Sequence, residues 1–199
     1  MSDASTHVTI INTGIANTAS VSAAIERLGC PVTLTHDAES VRDAPLVVLP
    51  GVGSFGAGMR ALRAHGLDRV VIERVEQNRP LLGICLGLQL LCTSSEESPG
   101  IMGLGLIDAD VTRFPATVRT PQHGWNRVDD GHAYYSNTYR IESIPPDWSG
   151  ELSEHGGAFV AYLRRGTTLA CQFHPELSST WGAALLRNWI EITKEVSPC

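Results

Sequence analysis

The sequence predicts an α/β fold in which a mostly parallel sheet is covered by helices on both faces. In the first half of the chain, short apolar runs typical of buried strands alternate with stretches whose apolar residues recur at helical spacing. In the second half, strand-like runs follow one another with little helix between them, which indicates an antiparallel extension of the same sheet. A chain of 199 residues, 43% of them apolar, is expected to form one domain with a sizeable core.

The first half is predicted to contain four strands and four helices. The strands cover Val8–Ile11, Val32–Thr35, 46–49 and 81–84, and the helices cover 19–28, 57–64, 67–77 and 86–91. In the first helix, Val21 and Ile25 share one face, and Gly29 follows as a stop signal. Pro50 and Gly51 are expected to close the third strand.

The second half is predicted to be mainly extended. Its strands cover 104–107, 110–114, 126–128, 133–141, 158–163 and 168–173, and turn residues separate them. One amphipathic helix at 180–193 closes the chain, with Leu185, Leu186, Trp189 and Ile190 on one side. No internal repeat or linker interrupts this pattern.

Charge and composition exclude several classes of function. The formal net charge is −6 and no basic block stands out, so we expect no binding to nucleic acid or to an anionic membrane surface. Residues 1–7 are polar and no apolar run has membrane-spanning length. We therefore expect neither a signal peptide nor a membrane helix.

The cysteines point to a reducing compartment rather than to disulfides. They are Cys30, Cys85, Cys92, Cys171 and Cys199. Because this set is odd in number and widely spaced, we expect reduced thiols in the cytoplasm. Cys171 and His174 have the spacing of half a zinc site, but the sequence offers no convincing second half, so no metal is expected.

A single cysteine, Cys85, separates the strand at 81–84 from the helix at 86–91, with Gly83 and Gly87 on either side. This is the cysteine form of the G-x-S-x-G nucleophile elbow, a turn so sharp that its flanking residues must be small. The turn places the thiol at a helix N-terminus, where backbone N–H groups and the helix dipole favour the thiolate. A packing cysteine in a buried turn is the alternative, and this segment alone does not decide between the two.

A second group of candidate catalytic residues lies near the last predicted strand. Extended geometry would place His174 and Glu176 on the same side of the chain, and Pro175 biases His174 towards that geometry. A carboxylate beside the imidazole can fix its tautomer and stabilise its cation, as in a catalytic triad. The alternative is a strand-end histidine with a solvated glutamate. Cys85 weakens that alternative, because both positions end strands of an α/β sheet, where such folds place their sites.

A competing motif, G-x-G-x-x-G, spans Gly51, Gly53 and Gly56. In a dinucleotide-binding unit an acidic residue ends the next strand about 20 residues on, but here that distance falls in the helix at 67–77. The motif also follows the third strand rather than the first. We interpret it as a glycine-rich loop whose backbone N–H groups approach a substrate closely.

The chain resembles the class I, triad-type glutamine amidotransferases in Gly83-Ile84-Cys85-Leu86-Gly87-Leu88-Gln89 and in His174-Pro175-Glu176. Further segments are similar to the glutaminase subunits of imidazole glycerol phosphate synthases, which are histidine-pathway enzymes. They are Thr13-Gly14-Ile15-Ala16-Asn17, Pro50-Gly51-Val52-Gly53-Ser54-Phe55-Gly56, Ser95-Glu96-Glu97, Gly103-Leu104-Gly105-Leu106-Ile107, Gly124-Trp125-Asn126 and Gln172-Phe173-His174-Pro175-Glu176. The resemblance covers nearly the whole chain and implies a flavodoxin-like, three-layer fold, with one glutaminase domain over residues 1–199.

The resemblance also implies a role for each site residue. Cys85 is expected to attack the carboxamide of L-glutamine, with His174 carrying the proton and Glu176 orienting the imidazole. The N–H groups of Val52 and Leu86 are expected to form the oxyanion hole. The expected substrate-binding residues are Gly51, Gly53, Gln89, Glu97, Thr138 and Tyr139.

A partner is implied as well, namely the (β/α)8-barrel cyclase subunit of imidazole glycerol phosphate synthase. The two subunits would form a heterodimer in which the liganded barrel activates the glutaminase and receives its ammonia, and no cofactor is expected. Asn17 and Trp125 match positions at the junction between the subunits. Three of the implied residues have plainer interpretations: Gln89 as a helix-surface residue, Glu97 as a solvated loop charge and Trp125 as a core residue.

The chain departs from the family pattern in three places. Gln122 and His123 stand where a histidine and a methionine are usual, Asn137 replaces a histidine, and Leu177 replaces a basic residue near the partner junction. These departures leave open a related glutaminase that supplies ammonia to a different synthase. A stand-alone cysteine hydrolase on a similar sheet and a binding subunit that kept the fold without the activity also stay open.

Overall fold

The computed structural model describes residues 6–14 and 17–196. Its strands are β1 (Val8–Ile11), β2 (Val32–Thr35), β3 (Leu46–Gly51), β4 (Leu81–Cys85), β5 (Cys92–Ser95), β6 (Ile107–Arg113), β7 (Gln122–Val128), β8 (Gly131–Asn137), β9 (Tyr139–Arg140), β10 (Ser149–Glu154), β11 (Ala158–Arg165) and β12 (Thr168–Cys171). Its helices are α1 (Thr18–Arg27), α2 (Ala38–Asp43), α3 (Phe55–Ala64), α4 (Leu67–Glu76), α5 (Leu86–Leu90) and α6 (Ser179–Val196), and Pro175–Leu177 forms a 3₁₀ turn.

Seven strands of the described chain form the central sheet, in the order β10-β11-β12-β4-β3-β1-β2. The strands from β12 to β2 run parallel to one another, and β11 and β10 continue the sheet antiparallel at one edge. The predicted mostly parallel sheet and its antiparallel extension are therefore confirmed. The register pairs Gly51 with Cys85 and Cys171 with Ile84, so β3, β4 and β12 end together. Ligand sites of open α/β sheets lie at this carboxyl edge.

Helices cover both faces of this sheet, which gives the predicted three layers. α1 and α6 pack on one face, where Ile25 and Trp189 are buried. α2, α3 and α4 pack on the other face, where Met59 and Val71 are buried. β1 and β3 are buried along their whole length, because both sides of a central parallel strand are covered. No helix of the described chain combines the length and apolar character that crossing a membrane requires.

The remaining strands build smaller sheets beside the central one. β5 pairs parallel with β6, and β6 pairs antiparallel with β9. β7 and β8 form a hairpin of their own. The antiparallel extension of the central sheet is therefore made by β10 and β11. The prediction that the strands of the second half extend this sheet is wrong for β6 to β9, which pair outside it, and for β12, which lies parallel to β4.

Two predicted strands differ from the structure by more than a shift of one end, for a backbone reason. The strand expected at 104–107 begins only at Ile107, because Gly105 has a φ of 67° and the neighbouring N–H groups donate to carbonyls at the end of α5. The strand expected at 133–141 is interrupted at Thr138, since β8 pairs with β7 whereas β9 turns away to pair with β6.

Three short elements of the structure, α2, β5 and β10, are absent from the sequence prediction, because the spacing of apolar residues does not indicate them. α2 is six residues long and begins at an N-cap where the N–H of Ser40 donates to Asp37 Oδ2 at 2.8 Å. β10 is mostly polar because it is an edge strand of the sheet. β3 also runs through Pro50 to Gly51 instead of ending before them, because Gly51 still pairs with Cys85.

A buried arginine joins α4 to the turns around β3 and β4. Arg74 is 1% exposed. Its guanidinium donates to the backbone carbonyls of Val41, Arg42, Ala44, Pro45 and Pro80. Burial, with a smaller contribution from Arg79, lowers the pKa of Arg74 to about 10. These hydrogen bonds hold together the end of α2, the start of β3 and the residue before β4.

Replacing Arg74 by Met should lower the free energy of unfolding by about 3 kcal/mol, because several hydrogen bonds from one buried cation are lost together. Urea unfolding followed by circular dichroism measures the change. Arg69→Met, at an exposed position of the same helix, is the matched control and should change stability by less than about 0.5 kcal/mol. Equal stabilities of the two variants would contradict the structural role of Arg74.

Candidate active site

Cys85 ends β4 and directly precedes α5, and its backbone is strained. Its φ is 53° and its ψ is −107°, a combination that a residue with a side chain rarely adopts. Such strain costs about 1–3 kcal/mol and persists only where the surrounding structure enforces it. The geometry is that of a nucleophile elbow, with the thiol at the carboxyl edge of the sheet.

The elbow is enforced by the close packing of α5 on β3. A Cβ on Gly87 would lie 1.9 Å from the carbonyl oxygen of Leu49. A Cβ on Gly83 would lie 3.2 Å from the backbone of Gly87, which is tighter than ordinary contact. These contacts agree with the expectation that the residues two before and two after Cys85 are small.

His174 follows the neighbouring strand β12 and brings its imidazole to Cys85. Its Nδ1 lies 2.8 Å from Oε1 of Glu176, whose side chain is only 2% exposed. The other nitrogen, Nε2, is left for Cys85, which lines the same pocket as His174. The extended geometry expected through Glu176 is wrong in part: His174 is extended, but Pro175 begins a 3₁₀ turn that includes Glu176. The turn still places the two side chains next to each other.

The backbone of His174 is held by β8 and by the start of α6. Its N–H donates to the carbonyl of Tyr134 at 2.9 Å. The buried Ser178 hydroxyl donates to the carbonyl of His174 at 2.6 Å and accepts from the N–H of Tyr134 at 2.9 Å. Gly182 lets α6 approach, since a Cβ there would lie 2.2 Å from the carbonyl oxygen of Pro175. The backbone that carries the imidazole is therefore held by β8, by Ser178 and by the packing of α6.

The environment of His174 favours its charged form. Burial lowers the pKa of His174, but hydrogen bonds to Cys85 and Glu176 and attraction to their negative charges outweigh burial and raise it to about 10. An imidazolium next to a thiol stabilises the thiolate. By contrast, burial raises the pKa of the Cys92 and Cys171 thiols well above the usual range. Of these three thiols, Cys85 is the one placed for nucleophilic chemistry.

Cys85 and His174 open into one pocket of about 220 Å³. This volume suits a small ligand, since pockets for drug-sized molecules begin at roughly 300 Å³. Its lining includes the predicted site residues Val52, Gly53, Cys85, Leu86, Gln89, Glu97, Thr138, Tyr139 and His174. Glu176 lies behind His174, and Gly51 lies behind Leu86, whose Cβ would be 2.7 Å from a Cβ on Gly51. The structure therefore brings these predicted residues together around one cavity.

Gln89 and Glu97 contact the protein as well as the pocket. Gln89 is buried, and its Nε2 donates to the carbonyl of Tyr139 at 3.2 Å and to Oε1 of Gln172 at 3.0 Å. Oε2 of Glu97 accepts from the N–H of Phe55 at 2.6 Å, at the start of α3. A helix-surface position for Gln89 is therefore wrong. Glu97 does lie in a partly exposed turn, but its carboxylate is tied to α3 rather than being only solvated.

The segment 138–139, between β8 and β9, forms one wall of the pocket. The carbonyl of Thr138 accepts from the N–H of Phe114 at 3.1 Å. The carbonyl of Tyr139 accepts from Gln89 and, at 3.0 Å, from Nδ2 of Asn137. These hydrogen bonds fix the interruption between the two strands against the cavity.

Three residues at this site are missing from the sequence prediction: Ser136, Asn137 and Gln172. The carbonyl oxygen of Ser136 lies 4.0 Å from Cys85 Sγ, Asn137 lines the pocket, and Gln172 Nε2 lies 3.7 Å from the same sulfur. Side chains of an extended chain alternate between its two sides, so Gln172, two residues before His174, is expected on the same side as His174. Ser136 and Asn137 carry no such signal, since their position depends on where β8 ends.

The residues predicted at a partner junction are outside the lining of the pocket. Asn17 is the N-cap of α1, where its Nδ2 donates to Ser20 Oγ at 2.9 Å. Trp125 lies on β7 and is 55% exposed, so the interpretation as a core tryptophan is wrong. Residues 15–16 of the same motif as Asn17 lie outside the described residues, as does Cys199.

Most departures from the family pattern lie on the hairpin of β7 and β8. Gln122 and Asn137 are partners in its register, and both are buried. They therefore count as one structural change rather than two. The ring of His123 is hydrogen-bonded to the hydroxyl of Tyr134 at 3.0 Å. Leu177, by contrast, is exposed in the 3₁₀ turn.

The G-x-G-x-x-G segment lies beside this pocket. Gly51 ends β3, Gly53 has a φ of 93°, and the N–H of Gly56 donates to Ser98 Oγ at 2.9 Å in the first turn of α3. Because Val52 and Gly53 line the pocket, this position fits a glycine-rich loop next to a small ligand. Within the described residues, no three side chains of His, Cys, Asp or Glu lie close enough together to hold a metal ion.

Comparison with known proteins gives consistent matches over most of the chain. The sequence profile of the family Glutamine amidotransferase class-I matches residues 9–192. Imidazole glycerol phosphate synthase subunit HisH of Geobacillus kaustophilus is 41% identical, over 92% of this chain and 95% of that protein. The subunit of the same name from Symbiobacterium thermophilum is 37% identical, over 92% of each. A crystal structure of a glutamine amidotransferase shares the fold, with a TM-score of 0.79 at 22% identity over 94% of this chain and 98% of that one.

The raised pKa of His174 predicts how its contribution to stability depends on pH. Because the folded-state value of about 10 lies above the unfolded value of about 6.5, the charged imidazole contributes fully below about pH 6.5. The contribution is lost as the pH rises through about 10. We expect the difference in unfolding free energy between wild type and His174→Gln to shrink from about pH 6 to about pH 10, as measured by urea unfolding. A difference that stays constant or widens would contradict the raised pKa.

Proposed function

Because this chain belongs to the class-I glutamine amidotransferase family, we propose that it is the glutaminase subunit of an imidazole glycerol phosphate synthase. It hydrolyses L-glutamine to L-glutamate and ammonia, and the ammonia passes to a (β/α)8-barrel cyclase subunit for imidazole glycerol phosphate and aminoimidazole ribotide formation in L-histidine biosynthesis. The observation that carries the proposal is that Cys85 and His174 line one pocket while Glu176 is hydrogen-bonded to the far side of the imidazole, so a nucleophile, a base and an orienting carboxylate lie together. Residues 1–199 make up one domain, since strands from both halves of the chain share the central sheet.

The first half of the reaction begins with the thiolate of Cys85. Its sulfur attacks the carboxamide carbon of L-glutamine, and the carbonyl bond opens to an oxyanion. His174 donates its Nε2 proton to the amide nitrogen as the carbon–nitrogen bond breaks, so ammonia leaves and a γ-glutamyl thioester remains. Glu176 holds the imidazole in the orientation that this transfer requires.

Water completes the second half of the reaction. The neutral imidazole of His174 accepts a proton from a water molecule that attacks the thioester carbon. The carbon–sulfur bond then breaks, and glutamate leaves. The thiolate of Cys85 and the imidazolium of His174 are restored together, a charge state that the raised pKa of His174 supports.

Backbone N–H groups of Val52 and Leu86 stabilise the oxyanion. Leu86 opens α5 directly after the nucleophile, and Val52 follows Gly51, which packs against the Leu86 side chain. Both residues line the pocket next to Cys85. Each such donor is typically worth about 3 kcal/mol of barrier.

The remaining pocket residues bind the amino-acid end of glutamine. The carboxylate of Glu97 attracts the α-ammonium group, and its hydrogen bond from the first turn of α3 keeps it in place. Gln89, Thr138 and Tyr139 form the polar wall, and Gly53 leaves the loop open to the ligand. The small cavity that these residues line favours glutamine over larger amides.

The barrel subunit docks on a surface that includes Asn17 and Trp125 to form a heterodimer. An exposed tryptophan supports this docking, because aromatic residues are enriched at the centre of protein interfaces. The buried, reduced thiols of Cys92 and Cys171 fit the cytoplasm, where thiols stay reduced.

Glutamate release from L-glutamine should depend on Cys85 and should rise strongly when the barrel subunit and its nucleotide ligand are added. Cys85→Ala removes the nucleophile and should reduce turnover by at least about a thousandfold. Cys30→Ala, at a cysteine between α1 and β2, is the matched control and should keep wild-type turnover. A coupled glutamate dehydrogenase assay measures all three proteins, alone and with the partner.

Each contrary outcome of this assay indicates a different function. Turnover that needs Cys85 but ignores the barrel subunit would contradict the partner and indicate a glutaminase for a different synthase, or a stand-alone hydrolase. Wild-type turnover by Cys85→Ala would contradict the mechanism. Absence of Cys85-dependent turnover, together with failure of Cys85 to react with a glutamine-like electrophile, would indicate a binding subunit.

A further inference from the structure

Gln172 lies next to the nucleophile and is fully buried. It directly follows β12, where its N–H donates to the carbonyl of Ala161 at 2.8 Å, and its exposure is 0%. Its Nε2 lies 3.7 Å from Sγ of Cys85, and its Oε1 lies 3.0 Å from Nε2 of Gln89. A buried amide thus contacts the reacting sulfur without having a part in the steps described above.

The direction of this amide is fixed by its neighbours. The carbonyl oxygen of Tyr139 can only accept, so the group that Gln89 presents to it at 3.2 Å must be the NH₂. The same NH₂ lies 3.0 Å from Gln172, so Gln172 presents its carbonyl oxygen to Gln89. The NH₂ of Gln172 is therefore the group that faces the sulfur of Cys85. A donor in this position favours the thiolate, because hydrogen bonds to a charged acceptor are the stronger ones.

We infer that Gln172 is a further catalytic residue, whose amide donates a hydrogen bond to the thiolate of Cys85 and holds it for attack. Gln89 acts through it as a positioning residue that ties its side chain to the backbone at Tyr139. This inference rests on the proposed role of Cys85 as the nucleophile. Unlike the imidazolium of His174, the amide is neutral and remains a donor at every pH.

His174 is the charged donor beside the sulfur, and the nearby carboxylate and carbonyl groups cannot provide a further one. The titratable groups that line the described pocket are Glu97, Tyr139, His174 and Cys85 itself, and Glu176 lies behind His174. Glu97 would repel a thiolate. Ser136 presents a carbonyl oxygen to the sulfur at 4.0 Å, which can accept from a thiol but cannot donate to a thiolate. Gln172 therefore complements His174 in stabilising negative charge on Cys85.

The pH dependence of Cys85 alkylation by iodoacetamide tests this role. Cys85→Ala serves as the blank, because it reports the alkylation of the other cysteines, which is then subtracted. Gln172→Met keeps the length of the side chain but removes the donor. We expect the midpoint of the alkylation profile to rise by about one pH unit and the rate near pH 7 to fall about tenfold. Gln77→Met, at the exposed end of α4, is the matched control and should leave the profile unchanged.

Two further measurements make the test independent of how well one variant folds. In the wild type, the side-chain amide NMR signal of Gln172 should shift with the same midpoint as the alkylation of Cys85, and this shift should disappear in Cys85→Ala. Gln172→Glu should raise the midpoint further than Gln172→Met, because a carboxylate repels the thiolate.

The inference about Gln172 and the proposed function can fail separately. An unchanged midpoint in natively folded Gln172→Met, or an amide signal that does not follow the titration of Cys85, would overturn the role of Gln172. Wild-type glutaminase activity and Cys85 alkylation would persist in that case. Their loss in the wild type would instead refute the nucleophile itself.

Discussion

The close approach of α5 to β3 is the constraint on which the candidate site depends. Gly87 has no room for a Cβ against the carbonyl oxygen of Leu49, and this contact leaves Cys85 between strand and helix at a positive φ. The strain of about 1–3 kcal/mol persists because apolar cores on both faces of the sheet hold strand and helix rigidly. The same rigidity places the thiol at the carboxyl edge, where β3, β4 and β12 end together.

Stabilising a charge on this thiol requires neighbours that are themselves buried and fixed. His174 meets the requirement because its backbone is bonded to β8 and to Ser178, and because Glu176 offsets the cost of burying its cation. Gln172 adds an uncharged donor whose direction is set by Gln89. The electrostatics of the pocket thus come from segments far apart in sequence, which the fold brings to one sulfur atom.

The parts of this structure that follow from local pattern could be predicted from the sequence. Short, mainly apolar runs identify β1, β3 and β4, a cysteine between two glycines identifies the elbow, and the spacing of His174 and Glu176 identifies their pairing. The resemblance to class I glutamine amidotransferases, seen in these motifs, is confirmed by the family match over residues 9–192. The interruption at Thr138 depends on pairing with two different strands, which no local pattern encodes. For Gln172 the local alternation indicates only the side of the chain, and its contact with Cys85 depends on the packing of β12 beside β4.

The central claim is that Cys85 carries a γ-glutamyl thioester during turnover. Acid quenching of the protein with L-glutamine and the barrel subunit, followed by peptide mass spectrometry, tests this claim directly. We expect a γ-glutamyl group on the peptide that contains Cys85, formed in the wild type and absent from Cys85→Ala. A γ-glutamyl group on another residue, or rapid glutamate formation by Cys85→Ala, would contradict it.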